Sequence, residues 1–188
     1  MYYTGVGSRK TPRKIQSIMT NIATHLEKFD YILRSGGAVG ADTAFAMGAG
    51  NKKQIFVPWS GYNGHKKEFE IDKRAMMIAA QHHPAWHNLH SSVRALMARN
   101  VHQVLGPNLT LDKKSKFLIC WTPDGCETTE ARTIETGGTG LAISVACSFN
   151  IPVYNIKNKI SLENVEDFID NLYASKIELE SPRGISKV

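Results

Sequence analysis

One loop organises this sequence: Ser35-Gly36-Gly37-Ala38-Val39-Gly40-Ala41-Asp42. It follows a short apolar run and precedes an alanine-rich stretch with helical character. Its three glycines allow the backbone to approach a ligand closely, and the N–H groups at the start of the following helix would face that ligand. Asp42 would either cap the helix or hold a sugar hydroxyl. The spacing matches neither a dinucleotide fingerprint nor a Walker A loop, and a turn needed only for packing is the alternative.

Two other glycine-rich segments repeat this strand–loop–helix pattern. Gly5-Val6-Gly7-Ser8-Arg9 ends the first predicted strand, and Gly137-Gly138-Thr139-Gly140 precedes a predicted helix. A glycine turn at a helix N-terminus exposes N–H groups where the helix dipole favours an anion. Arg9 would either add a bidentate contact to phosphate or lie on the surface of a tight turn. Three such loops at strand ends are hard to explain as turns alone.

Apolar runs alternate with helical patterns along the chain. This alternation predicts an α/β fold: a single Rossmann-like domain with a mainly parallel sheet of five or more strands and helices on both faces. We expect this domain at residues 1–174 and a polar C-terminal tail at 175–188. Ligands bind such sheets at the carboxyl ends of the strands, where all three loops lie. The predicted strands are 2–6, 31–33, 54–58, 117–121 and 152–156. The first helix is predicted to start with Thr11 as its cap and Pro12 at the first helical position, and further helices are predicted at 43–49, 71–80, 91–105, 141–149 and 162–172.

The composition excludes several classes of protein. The chain has 188 residues, 42% of them hydrophobic, and its net charge is 23 − 17 = +6. These values favour one globular domain and exclude disordered, collagen-like and coiled-coil chains. Three cysteines without a CxxC pair and an N-terminus without signal-peptide features predict a soluble cytoplasmic protein with reduced thiols and no membrane segment. The charge is compatible with an anionic partner without requiring nucleic acid.

The motifs resemble those of the SMF/DprA–Lonely Guy (SLOG) superfamily, Rossmann-like proteins that bind nucleotides or nucleic acid. Gly7-Ser8-Arg9 resembles the GSR element of the DprA branch, and residues 35–42 resemble its SGGAxGxD loop. Residues 137–140 are similar to the PGGxGT loop of the Lonely Guy branch, with Thr136 in place of the proline. Residues 97–100, Met-Ala-Arg-Asn, resemble the helix that carries the catalytic arginine of that branch. The resemblance covers most of the chain and is greatest to small DprA-like proteins encoded by phages.

The resemblance leaves enzymatic activity open. The Lonely Guy branch acts as a phosphoribohydrolase, with a catalytic glutamate after the second glycine loop. Here the residues after Gly140 carry no carboxylate, so Glu127, Glu130 or Glu135 of the preceding loop would have to replace it. Arg99 would then stabilise developing charge while one of these glutamates activates water. Relatives in the superfamily are often dimers, which implies a homo-oligomer.

Aromatic and histidine residues supply further candidates. Trp59, Tyr62 and Trp86 fall in or near the loops on the expected ligand side, where one of them would stack on a base or all belong to the core. Four histidines between residues 82 and 90 could ligate zinc, but Pro84 interrupts the helix that would present them. We therefore predict no metal and no cofactor.

The sequence thus predicts a cleft between three glycine-rich loops that binds a phosphate-bearing nucleotide. Three functions are compatible with it: hydrolysis of a nucleoside monophosphate at its N-glycosidic bond, non-catalytic binding of a signalling nucleotide as a sensor or sponge, and DprA-like binding of single-stranded DNA. The candidate catalytic residues are Arg99, Glu130 and Glu135. The candidate binding residues are Gly7, Ser8, Arg9, Ser35, Gly36, Gly37, Gly40, Asp42, Gly137, Gly138, Thr139 and Gly140.

Overall fold

Strands and helices alternate through residues 1–180, which the computed structural model of the chain describes. Short 3-10 turns lie at Tyr62–Gly64, Trp86–Asn88 and Leu111–Lys113. The five strands are β1 (Tyr2–Gly7), β2 (Ile32–Ser35), β3 (Lys53–Ile55), β4 (Leu118–Trp121) and β5 (Val153–Asn155). The six helices are α1 (Arg13–Lys28), α2 (Ala41–Gly48), α3 (Lys73–His82), α4 (Ser91–Leu105), α5 (Thr139–Ser148) and α6 (Lys159–Glu180).

All five strands run parallel in one sheet, in the order β3-β2-β1-β4-β5. Thr4 of the central strand β1 pairs with Arg34 of β2 on one side and with Leu118 of β4 on the other. The chain moves outward from β1 to β3 and then crosses to the other side of β1 as β4. The carboxyl ends of β1 and β4 therefore flank a topological switch point, where open α/β sheets bind ligands. The α/β, Rossmann-like prediction is confirmed.

Helices cover both faces of the sheet. On one face, Met19 and Leu26 of α1 pack with Phe45 of α2 and Ile169 of α6. On the other face, α3, α4 and α5 bury a second apolar cluster that includes Val101. Both clusters contain strand residues with no exposed surface, so the sheet is buried from two sides, as parallel sheets require.

Several helix ends differ from the sequence pattern. Helices α2 and α5 each begin two residues earlier than predicted, so the ends of both glycine-rich loops are helical. Thr11 does not cap α1, because Pro12 occupies the cap position and the Thr11 hydroxyl donates to the Ser8 carbonyl over 2.7 Å. Helix α6, predicted for 162–172, extends to Glu180, and the rest of the predicted tail, 181–188, lies outside the described residues. No helix within residues 1–180 is long and apolar enough to cross a membrane.

Candidate functional site

A cleft of about 570 Å³ opens at the switch point, and we call it the central cleft. Its walls come from the turn after β1, the loop before α2, the C-terminal half of α4 and the segment before α5. The structure therefore brings the three glycine-rich loops together. Of the candidate residues, Gly7, Ser8, Arg9, Asp42, Arg99, Glu135, Gly137, Gly138 and Thr139 line this cleft.

Glycine allows two of these loops to lie against each other. Gly40 has a φ of +86°, and a Cβ atom there would lie 2.7 Å from the Ser8 carbonyl oxygen and 2.8 Å from that of Arg9. A Cβ atom on Gly7 would lie 2.8 Å from the Trp121 carbonyl oxygen. Side chains at either position would push the loops apart, so these glycines set the width of the cleft.

Several loop amides that we expected to bind phosphate are engaged inside the protein. The Ser8 N–H donates to the Trp121 carbonyl over 3.0 Å. The N–H groups of Gly36 and Ala38 both donate to Oδ2 of Asp42 over 3.2 Å. Asp42 is thus not the cap of α2, since Gly40 occupies that position, and Oδ2 of its carboxylate organises the loop that precedes it.

A buried ion pair forms part of the wall of the central cleft. Nη1 of Arg99 lies 3.3 Å from Oδ2 of Asp42, and the two side chains are 9% and 4% exposed. Burial raises the pKa of the Asp42 carboxyl, although the charge of Arg99 and the bonded amides lower it. Arg99 lies directly on Gly36, since a Cβ atom there would be 1.0 Å from Nη1. The Nε–H of Arg99 is buried without a hydrogen-bond partner among the described residues, which is uncommon for a charged group.

Polar side chains of α4 connect two of the glycine-rich loops. In the amide orientation that satisfies its neighbours, the Gln103 oxygen accepts from Nη1 of Arg99 and from the Gly36 N–H, each over 2.7 Å. The Gln103 nitrogen donates to Oδ1 of Asn100 over 3.0 Å. Nδ2 of Asn100 donates in turn to the Gly138 carbonyl over 3.0 Å. A continuous hydrogen-bond network therefore links the loop before α2 to the loop before α5.

The sequence pattern did not single out Asn100 or Gln103 for this role. Both are 93% or more buried, as is Arg99. Their spacing in the sequence could have indicated this role. Residues three and four apart share a helix face, and Gln103 follows Asn100 by three residues and Arg99 by four. Buried polar residues on one face of a helix require partners, and here the partners are the glycine-rich loops.

Arg9 lies at the rim of the central cleft. Its side chain is exposed, and Nη2 donates to the Tyr62 hydroxyl over 3.2 Å. The Tyr62 ring is buried, with its centroid 5.8 Å from Cζ of Arg99 and 5.4 Å from the centroid of the Trp59 ring. Tyr62 therefore fixes the position of Arg9 from outside the cleft lining.

The first turn of α5 presents backbone donors to the central cleft. The N–H groups of Gly140 and Leu141 bond back to the carbonyls of Gly137 and Gly138. The N–H groups of Gly138 and Thr139 find no acceptor within residues 1–180. Because the N-terminus of a helix carries partial positive charge, these two amides are the most suitable backbone donors for an anion.

A rigid loop carries Glu135 into the central cleft. Oδ2 of Asp124 accepts hydrogen bonds from the hydroxyl groups of Thr133, over 2.7 Å, and of Thr136. Partial burial raises the pKa of Asp124, but the threonine hydroxyls that bond to it lower that pKa by more. The Glu135 side chain itself is exposed and makes no ion pair with any described residue.

The remaining glutamate candidates lie elsewhere. Glu130 is exposed and does not line the central cleft. The Glu127 carboxylate accepts hydrogen bonds from the Asn155 N–H, over 2.7 Å, and from the Ser161 hydroxyl, so it holds β5 and α6 in place.

The other candidate binding residues do not line the central cleft. The Ser35 hydroxyl donates to the Gly5 carbonyl over 2.6 Å, which ties β2 to β1. Neither Trp59, 41% exposed, nor Trp86 lines the central cleft. Gly36, Gly37, Gly40 and Gly140 support the loops without lining that cleft either.

The histidine segment forms no cluster with metal-ligating character. Within residues 1–180, no group of three or more histidine, cysteine or acidic side chains could hold a metal ion. Cys120 has no exposed surface, and burial raises the pKa of its thiol well above the usual value. A thiol in this environment stays protonated and unreactive at neutral pH.

Comparison with known proteins adds evidence on the fold. No family model and no curated protein matches the chain. The fold is similar to that of DNA processing protein A from Helicobacter pylori. The superposition gives a TM-score of 0.55 with 16% sequence identity, over 93% of this chain and 81% of the other. The solved protein is described as binding single-stranded DNA in a unique mode. This likeness confirms a DprA-like, Rossmann-like fold, while the resemblance to the wider superfamily and to phage proteins stays a prediction.

Proposed function

We propose that this protein binds a phosphate-bearing nucleotide in the central cleft. The observation that carries the proposal is Arg99, which is buried in the wall of a cleft lined by glycine-rich backbone and keeps an unpaired Nε–H. An unsatisfied buried donor on a cation costs stability, so the retention of Arg99 in the lining of the cleft indicates a role beyond packing. The cleft volume falls within the range of about 300–1,000 Å³ that is usual for small-molecule sites.

The charges at the cleft match the phosphate of such a ligand. Arg9 and Lys10 line the cleft mouth and are exposed, and neither forms an ion pair within the described part of the chain. We assign phosphate recognition to Arg9 and to the N–H groups of Gly138 and Thr139. Among the carboxylates that line the cleft, that of Glu135 has no hydrogen-bond or ion-pair partner within residues 1–180 and is suited to accept hydrogen bonds from sugar hydroxyls.

Binding without turnover is the form of this proposal that the residues favour. Hydrolysis of an N-glycosidic bond requires a carboxylate that activates water near the sugar. Glu127 is bonded to β5 and α6, and Glu130 lies outside the cleft lining, so the enzymatic alternative depends on Glu135 alone.

Binding of single-stranded DNA is a second candidate function. Arg9, Lys10, Arg13 and Lys14 are all exposed and follow one another beside the cleft mouth, without ion pairs to any residue in 1–180. A row of cations next to a phosphate site would suit a longer polyanion. The structural neighbour, which is described as binding single-stranded DNA, supports the same candidate.

Isothermal titration calorimetry with nucleoside monophosphates and a short oligonucleotide tests both candidates. Arg9→Gln removes one charged donor from the cleft, whereas Arg13→Gln removes an equally exposed charge from the first turn of α1. Loss of a charge-assisted hydrogen bond of about 1.5–3 kcal/mol should raise the Kd of a mononucleotide about tenfold or more in Arg9→Gln. Arg13→Gln should leave this Kd almost unchanged.

Four results would count against nucleotide binding as proposed. The first is a wild-type protein that binds none of the mononucleotides, and the second is an equal effect of the two substitutions. Recovery of free base after incubation, abolished by Glu135→Gln, would replace binding with catalysis. An oligonucleotide affinity that falls steeply with salt, without mononucleotide binding, would favour the second candidate.

A further inference from the structure

A second cleft lies beside the central one. It encloses about 560 Å³, and we call it the side cleft. The two clefts share Met97, Ile134, Thr136, Gly137 and Gly138. They are therefore not separate cavities at different ends of the molecule, but two compartments on either side of one ridge.

The ridge between the compartments has an unusual composition. The Ile134 side chain is 97% exposed, although isoleucine is among the residue types that are most often buried in proteins. It sits on the loop that Asp124 holds through Thr133 and Thr136, so its exposure is built into a fixed backbone. Next to it lie Gly137 and Gly138, which place no side chain between the clefts. The ridge thus combines an apolar contact surface with accessible backbone.

The side cleft has its own cation. Nε of Arg132 donates to the Thr129 carbonyl over 3.1 Å, and Nη1 donates to the His82 carbonyl over 2.9 Å. These bonds fix the guanidinium, but no carboxylate within residues 1–180 neutralises it, and Nη2 is not bonded to a described residue. Leu141 and Pro84 supply apolar surface in the same compartment. A planar ring with hydrogen-bonding edges fits such a mixture.

From this arrangement we infer that the ligand contains two nucleosides joined by a phosphodiester. One nucleoside occupies the central cleft, the other occupies the side cleft, and Ile134 lies against the bases at the ridge. The linking phosphate lies at the N–H groups of Gly138 and Thr139. This inference rests on the proposed function, because it extends the nucleotide site to a second compartment. The two nucleosides belong either to a free dinucleotide or to adjacent positions of a DNA strand.

Calorimetric titration of three ligands with the same base tests this inference: a nucleoside monophosphate, the dinucleoside monophosphate and a hexanucleotide. The dinucleoside monophosphate should bind at least about tenfold more tightly than the mononucleotide. A hexanucleotide that binds no more tightly than the dinucleotide identifies a free dinucleotide as the ligand. A further gain of about tenfold, with a steep dependence on salt, identifies a strand.

Arg132→Met and Arg94→Met form a matched pair of variants. Arg94 also donates two hydrogen bonds to carbonyl groups, those of Trp86 and His87, but it lines neither cleft. We call the ratio of the mononucleotide Kd to the dinucleoside monophosphate Kd the dinucleotide advantage. Arg132→Met should remove most of this advantage and leave the mononucleotide Kd within about twofold of the wild-type value, whereas Arg94→Met should change neither quantity. Ile134→Ala provides a variant that removes no buried side chain, and it should also reduce the dinucleotide advantage.

The two proposals fail in different ways. Mononucleotide binding without any gain for the dinucleotide would overturn the two-compartment site and leave the central cleft as a nucleotide site. Equal losses in Arg132→Met and Arg94→Met would also overturn it. Absence of binding for all three ligands would refute both proposals. The melting temperature of each variant shows whether a loss of binding reflects a loss of folding.

Discussion

Replacement of Arg99 by methionine tests the central contact of the site. Methionine has nearly the length of the arginine stem, so the main change is the loss of the guanidinium. Asp42 would retain its bonds from the Gly36 and Ala38 N–H groups, but it would lose its cation. We expect the variant to be folded and clearly less stable, because a buried carboxylate without a cation is costly.

The magnitude follows from the burial of the pair. Removal of one partner of a buried ion pair typically costs about 3–5 kcal/mol. Because the Gly36 and Ala38 amides still donate to Asp42, we expect the lower end, about 3 kcal/mol. Asp42→Asn in the Arg99→Met background removes the uncompensated charge and should restore about half of the loss. The pair should therefore show a coupling free energy of about 1–3 kcal/mol in a double-mutant cycle.

Urea denaturation at neutral pH measures these differences. Arg74→Met is the control, because Arg74 donates three hydrogen bonds to the Asp72 carboxylate but its side chain is 62% exposed. If burial determines the cost, Arg74→Met changes the free energy of unfolding far less than Arg99→Met does, although its pair has more hydrogen bonds. Equal losses in the two variants, or additive effects of Asp42→Asn and Arg99→Met, would refute this reasoning.

Two further predictions concern the loop and the helix that shape the cleft. Gly40→Ala should lower the free energy of unfolding by about 2 kcal/mol more than Gly61→Ala. A Cβ atom at Gly40 would lie 2.7 Å from the Ser8 carbonyl oxygen, and its φ of +86° and ψ of −119° suit only glycine, whereas Gly61 has left-handed helical angles and a Cβ atom there meets no atom within 4 Å. Urea titration of both variants measures the difference, and equal losses would show that the contact with the Ser8 turn does not matter. His102 accepts the Asp72 N–H at Nε2 and donates from Nδ1 to the Gly106 carbonyl, so the folded protein holds it neutral and burial lowers its pKa below 6.5. As the pH falls below about 6.5, the unfolded chain binds more protons than the folded protein does, so the free energy of unfolding of the wild type should decrease. The decrease should be much smaller in His102→Gln. Denaturation curves of both proteins, recorded above and below that pH, test this prediction.

The fold could be predicted from the sequence because its signals are local. Strands β1 and β4 are short apolar runs, and glycine marks the turns that lead into α1, α2 and α5, as at Gly7, Gly40 and Gly138. The helix ends were predicted less accurately, because α5 begins with Thr139 and Gly140, and threonine and glycine are weak helix formers. The packing of α5 on the sheet determines where the helix begins, and the order of residue types along the chain gives no information about that packing.

The sequence could not predict which candidate side chains form hydrogen bonds with other parts of the protein. Asp42 lies in a motif that suggests a ligand contact, yet its carboxylate bonds to Gly36, Ala38 and Arg99. Whether an acid faces a ligand or its own loop depends on a few ångströms of backbone position. The same is true of Glu127 and Glu135, which belong to one loop but differ completely in their partners.

The structure changes which residues carry the functional argument. Glycines at strand ends are compatible with any ligand that approaches backbone, so they do not distinguish a nucleotide from another anion. The discriminating features are the cations that line the two clefts and the position of each one within the described chain. Arg99 retains a buried donor in the central cleft, Arg9 is held at its rim by Tyr62, and Arg132 is fixed in the side cleft. Arg9 and Arg132, which form no ion pair with any described residue, lie in different clefts on the two sides of one ridge. That arrangement matches a ligand whose phosphate lies between two larger groups, and a single inorganic anion would leave one of the two cations unused.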